Sequence, residues 1–96
     1  MEANIQRVDA VYEMPTRATN RTTPRGLVFL AHGCSHRATD FWPHSAACPS
    51  CIGLPEEVAI ARAVVDADYA AIALSSRGFC WDFDIDASRV ASALTS

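Results

Sequence analysis

The sequence predicts an α/β domain, the βαβα portion of a mostly parallel sheet. Two short apolar runs, "LVFLA" (27–31) and "YAAIALSS" (69–76), have the length and composition of buried strands. Between them "PEEVAIARAVVDAD" (55–68) has helical periodicity, and "DASRVASALT" (86–95) after them reads as a second helix. Strand, helix, strand, helix implies parallel neighbours joined by a right-handed crossover. On this reading residues 1–25 are an N-terminal arm and 26–96 are the domain.

In chain order, "RVDAVYEM" alternates roughly, with Val8, Ala10 and Tyr12 against Arg7, Asp9 and Val11. It reads as a candidate edge strand within the arm. "PTRATNRTTPRG" holds two Pro and four Thr and reads as a loop. "LVFLA" is bounded by Gly26 and Gly33, which favours a strand buried on both faces. "HGCSHRATDFWPHSAACPSCIGL" (32–54) is a long loop with all three His and three of the four Cys. Long loops in compact domains are often functional.

Pro55 suits the first helical position, and Glu56 and Glu57 suit the positive end of the dipole. Val58, Ala61, Val64 and Val65 form an apolar stripe, widened by Ile60 and Ala67. The alanines of the second strand would let helices pack closely on it. "RGFCWDFD" reads as a loop, and Asp84 or Asp86 caps the second helix. Two or three strands and two helices are too few to cover both faces of a parallel sheet. The chain therefore reads as the first half of something larger.

The composition excludes several classes. Half the residues are hydrophobic and 20% are charged, which is not a disordered composition. The net charge is -3 and there is no Lys, so nothing favours nucleic acid. Arg7, Arg17, Arg21 and Arg25 crowd the first quarter as isolated charges of a solvated or transit-like arm. No segment carries the roughly 18 uninterrupted apolar residues of a membrane span. The N-terminus lacks a signal-peptide core, so a cytoplasmic or organellar location is expected. Cys34, Cys48, Cys51 and Cys80 are then expected as thiols or ligands before a disulfide frame.

Taken in order, "HGCSHRATDFWP", "CPSCIGLPEE" and "YAAIALSS....CW" resemble the α/β-hydrolase superfamily, closest to a plant and algal branch of hydrolase-like proteins. The resemblance covers roughly residues 26 to 96. It implies a partial α/β-hydrolase-like three-layer sandwich, with "GLVFLA" and "AAIALSS" as the third and fourth strands, side by side. It also implies that the loop from His32 supplies an oxyanion-hole donor, the N–H of Cys34, with Gly33 allowing close approach and His32 shaping the loop. The parent activity would be serine-dependent hydrolysis of a small ester or other acyl substrate, with no cofactor.

The nucleophile elbow, the acid and the catalytic His would all lie beyond Ser96, and Ser35, Ser75 and Ser76 have no elbow context. The resemblance therefore implies an N-terminal part of a domain truncated before the elbow and inactive by itself. The elbow strand would pair with the free edge of "LVFLA", and without it that edge invites self-association.

A rival reading is a non-catalytic metal- or thiol-binding module. Cys48-Pro-Ser-Cys51 has the spacing of a redox dithiol or half a zinc site, with Cys34, His44 and Cys80 as further ligands. No second pair completes the zinc signature, and three residues separate the motif from the helix that would activate a redox thiol. Phe41-Trp42 and Cys80-Trp81 read as local core before an aromatic ligand wall. Asp82, Asp84 and Asp86 lack the Gly and Glu of a calcium loop and read as caps and solvated charges.

Overall fold

The computed structural model describes residues 2–5, 8–15 and 23–95. Strands β1 (Glu2–Ile5), β2 (Val8–Glu13), β3 (Leu27–Ala31) and β4 (Ala70–Leu74) form one sheet in the order β1-β2-β4-β3. β1 runs antiparallel to β2, and β2 antiparallel to β4 with Ala10 opposite Leu74. Only β3 and β4 are parallel, with Leu27 opposite Ala70 and Ala31 opposite Leu74.

The sheet is therefore mixed. This overturns the expected mostly parallel, α/β-hydrolase-like three-layer sandwich. The reason lies in the first fifteen residues. Their weak alternation suggested an arm with one edge strand, whereas β2 sits inside the sheet between β1 and β4. Strands as close in sequence as β1 and β2 can pair only antiparallel, because a parallel pair needs a crossover of a dozen residues or more. The loop expected over 15–26 falls largely on residues 16–22, which lie outside the described residues, as do Arg7, Arg17 and Arg21.

The free edge expected on "LVFLA" is found, since β3 ends the sheet. β4 is the central strand, and Ala70, Ala71, Ala73 and Leu74 are buried. β3 is the edge, and its first residue, Leu27, is 51% exposed. Both runs are apolar throughout, so composition could not separate centre from edge. Along β3, Val28 and Leu30 face one core and Phe29 the other. The first core joins Val11, Ala71 and Ala73 to Ala61 and Val65 of helix α1 (Pro55–Asp66) and to the long loop. The second joins Ala10 and Leu74 to Trp81 and to Val90 and Ala93 of helix α2 (Phe83–Thr95).

α1 begins at Pro55, as its sequence requires. Its stripe turns Ala61 and Val65 inward, but Ile60 is half exposed and Ala67 lies beyond the helix on the surface. The helix ends at Asp66, and the chain turns away at Asp68, whose φ of 73° is left-handed. α2 begins three residues before the expected Asp86. Its cap is Asp82, neither Asp84 nor Asp86: the Asp82 Oδ1 accepts the Asp84 N–H at 2.9 Å. Asp86 reaches back to the Asp82 N–H at 2.9 Å, in the manner of a capping box.

The long loop is held along its length. A single 3-10 turn (Ala38–Asp40) is followed by Phe41 and Trp42, both in the core. The Trp42 indole N–H donates to Glu13 of β2 at 2.8 Å. The N–H groups of Ile52 and Leu54 donate to the carbonyls of Thr39 and Asp40. Gly53 permits this return: its φ is +67°, and a Cβ there would lie 2.9 Å from the Pro43 Cα. Among the described residues no helix is long and apolar enough to cross a membrane.

Candidate functional site

Parallel pairing of β3 with β4 brings the exits of both strands to one sheet edge. His32-Gly33-Cys34 leaves β3 there, and Ser75 to Trp81 leaves β4. The two exits are joined several times. The Ser76 N–H donates to His32 Nε2 at 2.9 Å. Since Nε2 accepts, the ring proton is on Nδ1, which donates to the Gly33 carbonyl at 2.7 Å. Trp81 lies against the His32 ring, centroids 4.8 Å apart, and its indole N–H donates to the His32 carbonyl at 2.9 Å. The Ser35 N–H donates to the Phe79 carbonyl at 2.6 Å, and a disulfide joins Cys34 to Cys80.

His32 is 4% exposed with both ring nitrogens engaged. In this arrangement it has no lone pair for a proton or a metal, and it fixes the loop. Replacing it with Ala strips the acceptor from a buried N–H and leaves a hole beside Trp81. The expected cost is about 3 kcal/mol of folding stability. Urea denaturation of His32→Ala checks this, and an unchanged midpoint would show that the ring is dispensable.

The N–H groups on either side of the turn are satisfied, Ser35 by Phe79 and His36 by Gly33. Among the described residues, the Cys34 N–H has no acceptor. Gly33 is not required by the chain's own packing. A Cβ there would meet only the His36 ring, at 3.7 Å. Beside Gly33 lies a cleft of about 250 Å³, lined by Leu30, His32, Phe41, Glu57 and Ile60 among others. It sits between the end of β3 and the first turns of α1. Ser75 and Ser76 are not free nucleophiles here. The Ser75 hydroxyl accepts the Ala38 N–H at 2.9 Å, and that of Ser76 donates to the Gly78 carbonyl at 2.7 Å.

The five residues considered for a metal are not brought together. Cys34–Cys80 and Cys48–Cys51 are disulfides, which corrects the expectation of thiols. Spacing gave no sign of the first pair, whose members are 46 residues apart. Zinc takes thiolates, and a disulfide sulfur does not replace one. Cys48 and Cys51 are buried in the core beneath α1, whereas Cys34 and Cys80 are exposed at the sheet edge. His44 is exposed, with Nδ1 3.1 Å from the Pro49 carbonyl. Among the described residues no group of three or more His, Cys, Asp or Glu is placed to hold a metal. A redox role for Cys48-Pro-Ser-Cys51 meets the same obstacle of burial, since exchange needs an accessible sulfur.

Two clusters escaped the sequence. In one, His36 Nδ1 lies 3.1 Å from Asp40 Oδ2 and 3.5 Å from Glu57 Oε2. In the other, buried Asp86 pairs with Arg89 on α2, and Arg89 donates to the Ser75 carbonyl at 2.9 Å. Burial pushes the Asp86 carboxyl up. The N–H groups of Asp82 and Arg77 and the Arg89 guanidinium more than offset this and hold it below the ordinary carboxylate value. The expectation of a solvated charge fails for this residue. The i, i+3 spacing of Asp86 and Arg89 was the available signal. That of His36 and Asp40 had meaning only once the loop was seen to turn.

No family model, no curated protein and no solved structure matches this chain.

Proposed function

We propose that His32-Gly33-Cys34 is the oxyanion-binding loop of an acyl hydrolase, and that these 96 residues are the part of an α/β-hydrolase-like protein that carries it. One observation bears most of the weight. Among the described residues the Cys34 N–H has no acceptor, and it follows Gly33, which lines the cleft, on a loop fixed by His32, Trp81 and a disulfide. A fixed donor stabilises developing negative charge without reorganising during the reaction. The sequence resemblance and the adjacency of β3 and β4 support the same reading.

In this account an ester-like carbonyl occupies the cleft, and its oxygen takes the Cys34 N–H as charge develops. Leu30, Phe41 and Ile60 offer an apolar wall to the acyl group. Glu56 and Glu57 also line the cleft. The serine nucleophile is carried by a further strand, paired to the open edge of β3. A second copy of the chain is the competing occupant of that edge.

The test is an amide-resolved NMR titration with butylphosphonate, whose oxygens resemble those of the tetrahedral intermediate. Saturable shifts centred on Cys34, with Gly33, Leu30 and Ile60 following, are expected. Absence of a Cys34 response, or shifts confined to distant residues, would sink the reading.

A further inference from the structure

We propose that the hollow between the first residues of β3 and β4 and the last turn of α2 is a binding site for a neutral aliphatic molecule, an alcohol or ester of medium chain length. It lies apart from the cleft at Gly33 and is independent of the oxyanion reading.

The strand rows on the α2 side of the sheet set its shape. Along β4, Leu74, Ile72 and Ala70 share this face by alternation, and the row ends in the single methyl group of Ala70. Val90 and Ala93 of α2 pack against Ala10 and Leu74. The neighbours of Ala70 in the sheet are large. Leu27 pairs with it on β3, and on β2 Met14 follows Glu13, the partner of Ala71. The result is a hollow of about 390 Å³, lined by these residues with Tyr12, Ile72 and Leu94. Ala10 and Ala70 are 4% and 7% exposed, whereas Tyr12, Met14, Leu27 and Leu94 are between 37% and 56% exposed. The two alanines therefore form its floor and the four larger residues its rim.

The lining decides the chemistry of the guest. Among the described residues its one charged side chain is Glu13. That carboxylate accepts the Trp42 indole N–H at 2.8 Å, and Trp42 belongs to the core on the other face. The wall therefore offers an ion no partner, and a charged guest would give up hydration for nothing. An uncharged alkyl chain meets its complement. Water in an apolar hollow finds few hydrogen-bond partners, and its displacement by an alkyl chain is favourable. The volume falls within the roughly 300–1,000 Å³ of small-molecule sites. Four large apolar side chains exposed around one hollow mark a contact site, where scattered ones would mean nothing.

The hollow and the cleft occupy opposite ends of the same strands. Leu27 and Ala70 open β3 and β4, whereas His32 and Ser75 follow their last residues. A strand of five residues puts about 16 Å between the two ends. The hollow is closed by Ala93 and Leu94 of α2, and the cleft by Glu57 and Ile60 of α1. A guest in the hollow therefore leaves the Cys34 N–H untouched, and that amide serves as an internal control.

The experiment is an amide-resolved NMR titration of the 96-residue chain with butan-1-ol, hexan-1-ol and octan-1-ol. Saturable shifts centred on Tyr12, Leu27, Ala70, Ile72 and Leu94 are expected, with Cys34 unmoved. Each added methylene should tighten binding roughly fourfold, the equivalent of about 0.8 kcal/mol per buried CH₂. Octanoate should bind roughly tenfold more weakly than octan-1-ol, because its carboxylate finds no partner at the wall. Ala70→Leu fills the floor and should abolish saturable binding. Leu94→Ser, at an exposed position outside both cores, opens the rim and should weaken octan-1-ol by about tenfold. It carries the test if Ala70→Leu does not fold.

Shifts that do not saturate, that spread over the whole surface or that centre on Cys34 overturn the proposal. So does octan-1-ol binding that survives unchanged in Leu94→Ser, or octanoate binding as tightly as the alcohol. The competing occupant is a second copy of the chain, inserting its exposed Phe79 or Phe83. Sedimentation equilibrium without alcohol tests this. A monomer is expected, and self-association that is lost in Leu94→Ser would assign the hollow to the second copy and overturn the proposal.

Discussion

Replacing Cys34 and Cys80 together with serine is expected to cost about 4 kcal/mol of folding stability, the chain-entropy value for a loop of this length. The cross-link joins residues 46 apart and holds the exit of β3 against that of β4. Small domains have about 5–15 kcal/mol in all, so most of the margin of a 96-residue chain is at stake. The melting temperature should fall by roughly 15–30 °C. By the same argument Cys48–Cys51, with a separation of 3, contributes only about 1.5–2 kcal/mol through loop closure.

Urea unfolding of the double variant against the oxidised wild type is the direct check. A loss below about 1 kcal/mol would mean that the hydrogen bonds from Ser76, Trp81 and Ser35 already hold the two exits together. The contrast in burial predicts the order of reduction as well. A dithiol should open the exposed Cys34–Cys80 bond before the buried Cys48–Cys51 bond. The consequence for function is local. Freed from its staple, the Cys34 N–H loses part of its fixed position, and its response to butylphosphonate should weaken while the core beneath α1 remains intact.

The second large effect is expected at Asp86. Its carboxylate is almost wholly buried and accepts from the Asp82 and Arg77 N–H groups and from Arg89. Asp86→Asn keeps the shape and removes the charge, leaving a guanidinium that is itself only 13% exposed. Breaking a buried pair from one side costs about 3–5 kcal/mol. The loss would spread to the site, because Arg89 also holds the Ser75 carbonyl next to Ser76, the donor to His32.

The pH dependence has a definite sign. The Asp86 carboxyl is depressed in the folded state, so its contribution is complete above the unfolded value of about 3.9. It is lost as pH falls through the lower, folded value. Stability measured between about pH 2 and pH 5 should fall steeply with acid in the wild type and less steeply in Asp86→Asn. Parallel curves would show that the carboxylate carries no such linkage.

The sequence by itself determined the local elements. The start of α1 follows from Pro55 and the two glutamates after it. Its buried face follows from Ala61 and Val65, and the two apolar runs did become adjacent parallel strands. These are matters of cap and period within a few residues. The His- and Cys-rich loop was visible as a concentration of reactive side chains, though its roles were not.

Only the tertiary structure decided the rest, because each remaining feature depends on residues far apart in the chain. Whether an apolar run is central or edge depends on its neighbours, and β2 took the place beside β4 that its weak alternation did not advertise. Cys34 found Cys80 because two parallel strands end together. Asp86 was buried because Arg89 and two backbone N–H groups met it there. The tautomer of His32 was set by a single N–H, that of Ser76, 44 residues away. Local pattern specifies which segments form helices and strands, and long-range pairing specifies which polar groups are buried, bonded or left free for chemistry.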